Sequence, residues 1–273
     1  MVINYVTKMK KYYYILLFVL ACLCLPFLAS CDDEDDESNG PSPETSIVNP
    51  RKVFTAGLPT LVGGNKITTD DNGRVVKMER ENLLVTFDYS ALTRAAKADV
   101  VMTIESDDVT SVCNLTLNDQ GFVSFCDESS HNELDGDEHQ TWKFTYDSYG
   151  HLTKMVRSEG GNETTTITWE DGNITDVRVV SEEYPDDASH YTITYWYTNE
   201  GGIMFFDEMF GIDMDEMSFA YWAGLLGKPT ALLPDYRYDA VSGEKEVFGY
   251  DRDEEYRAIR FYTEENRYFI IEW

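Results

Sequence analysis

The stretch "TTTITWEDGNITDVRVV", residues 164–180, decides the reading of the fold. β-Branched and aromatic residues crowd both halves, and Asp171-Gly172 stands between them. Asp tolerates positive φ and Gly adopts it without a Cβ clash. Asp-Gly between alternating apolar runs therefore predicts two antiparallel strands joined by a tight hairpin.

The same grammar recurs outward from this point. "TTDDNGRVVKM" (68–78), "TLNDQGFVSF" (116–125), "FTYDSYGHLTKM" (144–155) and "WYTNEGGIMFF" (196–206) each set acidic or amide residues before a glycine and then resume apolar alternation. The glycines are too unevenly spaced for a solenoid or a propeller. The expectation is an all-β domain of about twelve strands, a many-stranded antiparallel meander forming a curved sheet or barrel-like structure. Residues 51–273 are enough for one sizeable core and are read as a single β-rich domain.

One helix interrupts the pattern. Asp213 and Glu216 have capping-box spacing, Gly227 suits the position after the last turn, and Pro229 blocks continuation. "MDEMSFAYWAGLL" (214–226) is apolar around most of its circumference, so this short helix is predicted to be buried, packed on the sheet or plugging it.

"YDSYGHLTKM" (146–155) resembles the YD-type repeats of large bacterial β-cages, and "YDRDEEYRAI" (250–259) resembles a second copy with Glu254 at the glycine position. The order of hairpins, Met- and aromatic-rich helix, "AGLLGKPTALLP" and final "YDRDEEYRAIRFY" is similar to a family of lipoproteins from gut anaerobic Gram-negative bacteria, a domain of unknown function with a porin-like fold. The resemblance spans roughly residues 70–265 and implies a curved or closed antiparallel sheet, with no assigned activity.

The N-terminus supplies an address. Lys8, Lys10 and Lys11 precede an apolar run, and "LAS" stands directly before Cys31. This is a signal-peptide layout whose cleavage site resembles a bacterial lipobox. Residues 1–30 are expected to be removed, Cys31 to be lipidated, and residues 31–50, acidic and then rich in Ser and Pro, to form a disordered tether. Acyl chains at about 0.8 kcal/mol per buried CH₂ anchor such a chain stably without a membrane-spanning segment. The acids Asp32 to Glu37 resemble a surface-export label, which implies an outer-membrane lipid anchor at the cell surface; facing the periplasm is the alternative.

The chain carries 50 acidic and 22 basic residues, a formal charge of −28. Losing the three lysines of residues 1–30 makes it more negative still. No basic patch is available to release phosphate counterions, so nucleic acid is excluded as a partner.

After processing, Cys31, Cys113 and Cys126 remain. A two-residue loop at Asp119-Gln120 would set Cys113 opposite Cys126, geometry suited to a cross-strand disulfide outside the cytoplasm; two buried free thiols are the alternative. Catalytic motifs are not found, with no GxSxG, HExxH, P-loop or dinucleotide fingerprint, and neither catalytic residues nor a cofactor is assigned. The loop from Asp70 to Glu79 departs from the Ca²⁺-loop pattern at Thr68, and His131, Asp135, Asp137 and His139 match no zinc spacing, so no metal site is assigned. In "HYTITYWYTN" Tyr191, Tyr195 and Tyr197 alternate on one face and Trp196 lies on the other, the candidate ligand-facing aromatics.

These features predict a glycan- or protein-binding module. A carboxylate-dependent, glycan-active hydrolase is the alternative, as is an integral outer-membrane barrel, suggested by the terminal "RYFIIEW". A shallow aromatic strip would favour binding, and carboxylates beside aromatics in one deep pocket would favour the enzyme.

Overall fold

The computed structural model describes residues 53–90, 98–132, 136–196, 202–264 and 267–273. The expected signal peptide, Cys31, the expected tether and Tyr197 lie outside the described residues.

Sixteen antiparallel strands close into a barrel in which each strand pairs with its sequence neighbour. They are β1 (Leu61–Val62), β2 (Asn65–Thr69), β3 (Val75–Arg80), β4 (Leu83–Asp88), β5 (Val100–Ser106), β6 (Val109–Leu117), β7 (Val123–Asn132) and β8 (Gly136–Tyr146). There follow β9 (Leu152–Arg157), β10 (Glu163–Glu170), β11 (Asn173–Val180), β12 (Ser189–Thr194), β13 (Tyr236–Asp239), β14 (Lys245–Arg252), β15 (Ala258–Thr263) and β16 (Tyr268–Glu272). Closure is made by β1 on β16, with Leu61 opposite Glu272 and Val62 opposite Ile271. The predicted meander is thus correct and the number of strands larger than expected, because several strands are only two to six residues long.

The Asp171-Gly172 hairpin forms as read, with φ of 49° and 74° at the two turn residues and Glu170 facing Asn173. At several other hairpins a longer turn is built by one repeated device. Asp70 Oδ1 accepts the N–H of Asn72 and of Arg74, Asp147 Oδ1 those of Tyr149 and His151, and Asp253 Oδ1 those of Glu255 and Arg257. The second carboxylate oxygen then takes the side chain four residues on, Arg74, His151 or Arg257. Residue four of the turn is left-handed: Gly73, Gly150 and Tyr256, the last at φ 64°. The structural counterpart of Gly150 in the last copy is therefore Tyr256, not Glu254 as the YD-repeat alignment implies. Asn118 plays the same part toward Gln120 and Phe122.

Inward positions are apolar, for example Val100, Met102 and Ile104 on β5, and outward ones polar, as with Thr103 and Glu105 beside them. Lys143 and Thr145 on β8, Thr166 and Thr168 on β10 and Arg178 on β11 continue the polar outer wall. A lipid-embedded barrel has the opposite polarity. The terminal Trp273 donates its Nε1–H to the Ala258 carbonyl at 2.9 Å and lies under the Arg257 guanidinium.

The lumen is filled by the excursion between β12 and β13. It contains two short helices, α1 (Phe206–Phe210) and α2 (Met217–Trp222), where one was predicted. Phe210, Met217, Ala220 and Tyr221 are fully buried. The expected capping box is not made: Asp213 Oδ1 accepts the Asp215 N–H instead, and α2 ends at Ala223 before Gly224 (φ 76°), well short of Gly227. Gly227 serves close approach, since a Cβ there would stand 2.9 Å from the Gly150 carbonyl oxygen. Backbone bonds tie the plug to three hairpins at one end of the barrel: Val123 N–H to Leu225 O, Lys228 N–H to Gly150 O and Ala231 N–H to Gly172 O. That end is stoppered, whereas the other end, bearing the β7–β8, β9–β10 and β13–β14 connections, carries the polar inward side chains.

Two outcomes test this account. Phe210→Ala should lower the unfolding free energy by about 3–5 kcal/mol, read by urea denaturation, because the plug side chain is wholly enclosed. Burial raises the Asp70 pKa, but the Arg74 pair and two N–H donors outweigh it and hold the carboxyl below its usual value. Its contribution is present above ~pH 3.9 and is lost as pH falls through the folded value. Asp70→Asn, which keeps an acceptor as Asn118 does, should cost roughly 0.5 kcal/mol at neutral pH, with the gap to wild type closing in acid.

Candidate functional site

The unstoppered end is an acidic mouth with an aromatic floor. Arg157, at the end of β9, lies over the Trp142 ring, 5.3 Å from its centroid. Its guanidinium pairs with Asp213 at 3.4 Å, with Asp215, and with Glu159 at 3.8 Å. Asp213 and Asp215 come from the plug just before α2, and Asp215 is held at φ 41°, so chain geometry sets the two carboxylates together against the wall. A cavity of 280 Å³ opens beside them, with Phe205, Trp222 and Phe269 as floor and Asp207, Glu208, Asp213 and Asp215 as rim. A second of 300 Å³ is lined by Glu128, Ser130, Glu138, His139 and Glu159.

Burial, with like charge added, raises three acids of this end. Burial pushes up the Asp215 carboxyl, Asp213 adds to the effect and Arg157 opposes it, and the pKa reaches about 6. Glu128 is raised by burial and further by the Asp215 and Glu159 charges, against the Trp142 and Gln140 hydrogen bonds, and Glu216 is raised by burial and then by the neighbouring Glu128. Glu128, 2% exposed, also receives Trp142 Nε1–H at 2.8 Å and Gln140 Nε2–H at 3.0 Å.

The aromatic residues singled out in the sequence are divided by the barrel wall. Tyr191 faces inward, between the Arg237 guanidinium (4.9 Å from its centroid) and Gly211, where a Cβ would come within 2.4 Å of the ring. Tyr195 also faces inward and donates its hydroxyl to the Ile174 carbonyl at 2.8 Å. Tyr195 packs against the core, and Tyr191 both packs there and lines a 490 Å³ hollow with Arg237, Lys245 and Glu246. Trp196 is on the outer side, 65% exposed, with its N–H on the Asp235 carboxylate.

The aromatic surface that the sequence reading missed lies on the outer wall of β13–β16. Tyr262 on β15 faces Gly249 on β14 and Tyr268 on β16. A Cβ on Gly249 would lie 2.1 to 2.7 Å from the far end of the Tyr262 side chain, so the ring lies flat across the neighbouring strand with its other face outward. Tyr262 is 40% and Tyr268 64% exposed. Beside them Arg260 pairs with Asp251 at 3.1 Å over a shallow hollow lined by Ile259 and Ile270. A glycine within a strand, opposite an aromatic, was the available signal.

The two cysteines come close without facing each other. Leu117 pairs with Val123 and a bulge follows, so Leu115 lies opposite Cys126 and Cys113 opposite Glu128. The thiols are diagonal and free. Diagonal neighbours have Cα atoms ~7–8 Å apart, beyond the ~4.4–6.8 Å usual for a disulfide. The two-residue loop that would have aligned them is replaced by the Asn118 turn, which is the physical reason for the corrected register.

The raised Asp215 pKa gives a testable sign. The folded state holds this proton more tightly than the unfolded chain, so the group's contribution declines as pH rises from ~3.9 toward about 6. Asp215→Asn should raise the melting midpoint at pH above 6 by roughly 2 °C relative to its effect in acid, measured by calorimetry.

Comparison with curated proteins finds no match. Among solved structures, a porin-like protein from Bacteroides uniformis superposes with a TM-score of 0.54 at 17% identity, covering 76% of this chain and 88% of that one. A porin-like protein from Bacteroides vulgatus gives 0.53 at 13% identity, covering 79% and 98%. Both are similar in fold. Residues 65–262 match the family described as a domain of unknown function (DUF4595) with porin-like fold, and the chain belongs to that family.

Proposed function

We propose that this protein is a lipid-anchored cell-surface module that binds glycan on the outer wall of its barrel. The observation that carries the reading is the flat Tyr262 ring over Gly249 with Tyr268 alongside. Flat exposed aromatic rings offer an apolar face to the C–H side of a sugar ring, and the adjoining Asp251 and Arg260 supply hydrogen-bonding groups for its hydroxyls. Anchoring is supported by "LASC" at residues 28–31, and presentation at the surface by the acidic run after it. The polar outer wall favours a barrel held in water over one embedded in lipid.

A second reading rests on the mouth, where Asp215, with its pKa near 6, stands beside Asp213 and an aromatic floor. A carboxyl held near that value can act as a general acid, the requirement of a glycan hydrolase.

A glycan array with the full chain in detergent tests both readings. Tyr262→Ala with Tyr268→Ala should weaken binding ten- to a hundredfold, about 1.4–2.8 kcal/mol, with an unchanged melting midpoint. Undiminished binding by that variant, or no bound glycan, would sink the platform reading. Shortened glycan products lost in Asp215→Asn would favour the hydrolase. Protease shaving of intact cells should remove the domain; protection from protease would place it on the periplasmic face.

A further inference from the structure

Three inward side chains on the β6–β7 wall converge below the mouth. Cys113, Cys126 and Glu128 each bring a ligand atom to within 4.8 Å of the other two, and all three are buried. We propose that they form a binding site for one divalent cation of the zinc type.

The donor set is chemically apt. Thiolate sulfur suits a borderline-soft cation, and a carboxylate completes a mixed set of the kind zinc accepts. Tetrahedral bonds of ~2.0–2.3 Å hold ligands ~3.3–3.8 Å apart, so rotamer adjustments of roughly 1 Å close the site. The Trp142 and Gln140 N–H donors already fix the Glu128 carboxylate from behind, the arrangement that orients a metal ligand. Glu216, whose carboxyl is raised by burial and then by the neighbouring Glu128, stands nearby on the plug, outside the cluster of three ligand atoms. Ser111, two residues before Cys113 on the same inward face and 1% exposed, has a hydroxyl without a hydrogen-bond partner. The diagonal register works against a disulfide between the thiols but sets Cys113 across from Glu128 and Cys126 two residues before it on the same strand.

The approach is also suited to a cation. Glu128 lines the 300 Å³ cavity that opens through Glu138 and Glu159, so an ion meets carboxylates along its way. Binding displaces two thiol protons and any proton held by Glu128, and affinity therefore rises with pH.

The test uses the full chain, purified in detergent under reducing conditions, with zinc alone as the probe. One zinc per chain should bind in competition with a chromogenic chelator, and Cys113→Ser, Cys126→Ser and Glu128→Gln should each weaken it a hundredfold or more. Cadmium should give a thiolate charge-transfer absorption that both Ser variants lose. Should a Ser variant fail to fold, Glu128→Gln and zinc absorption spectroscopy of the wild type, expected to show two sulfur ligands near 2.3 Å, decide the matter. Absence of stoichiometric zinc with both thiols titratable would overturn the proposal. So would protein from cells with Cys113 and Cys126 joined in a disulfide.

Discussion

The width of the barrel is the constraint from which the rest of this structure follows. Eight strands enclose a lumen that their own side chains can fill, while sixteen leave a channel unless something else occupies it. Here the sixteen strands point Val, Ile, Met, Leu and Phe inward, and an apolar channel full of water is unfavourable. The excursion between β12 and β13 resolves the conflict by placing Phe205, Phe206, Met209, Phe210, Tyr221 and Leu225 inside. Some ring contacts are edge-on, such as Phe206 on Tyr221 at 4.7 Å and 89°, a geometry that complements the ring quadrupoles.

Filling the lumen from one end makes the two ends unlike. At the stoppered end, plug backbone groups bond to hairpin backbone groups, and the turn aspartates are satisfied locally by N–H donors and a cation four residues on. At the other end Arg157 is the shared partner of Asp213, Asp215 and Glu159, and burial prevails over the opposing contacts at Glu128 and Asp215, whose carboxyls are raised. The same residue type thus titrates in opposite directions at the two ends. Hydrogen bonds and an opposite charge outweigh burial in one case, and burial with like charge prevails in the other.

Much of the wall was legible because hairpin chemistry is local. Asp171-Gly172 needs only its own φ preferences to turn the chain, and the Asp-x-x-Gly-Arg/His turns at Asp70 and Asp147 are completed within five residues. The register at Cys113 was misread because the Asn118 turn is longer by one residue and a bulge in β7 adds another, so that Cys113 faces Glu128, two residues beyond Cys126. The extent of the helix was overestimated because apolar residues all round a segment signal burial, not helix length; Gly224 ends α2 where the lumen requires a bend. The functional surface was the least visible part. Tyr191 is held between Gly211 and Arg237 at the edge of an inward hollow, while Tyr262 gained its place only when Gly249 came to lie opposite.

By itself the sequence determined what depends on neighbours along the chain: strands from alternation, turns from Asp, Asn and Gly, and a buried segment from its apolar composition. Only the tertiary structure decided closure of the sheet, the side of the wall on which each aromatic falls, and the meeting of Cys113, Cys126 and Glu128 with Glu216. Those features depend on pairings between residues distant in sequence. Their register is set by how the whole barrel fits around its plug, and a single bulge alters it.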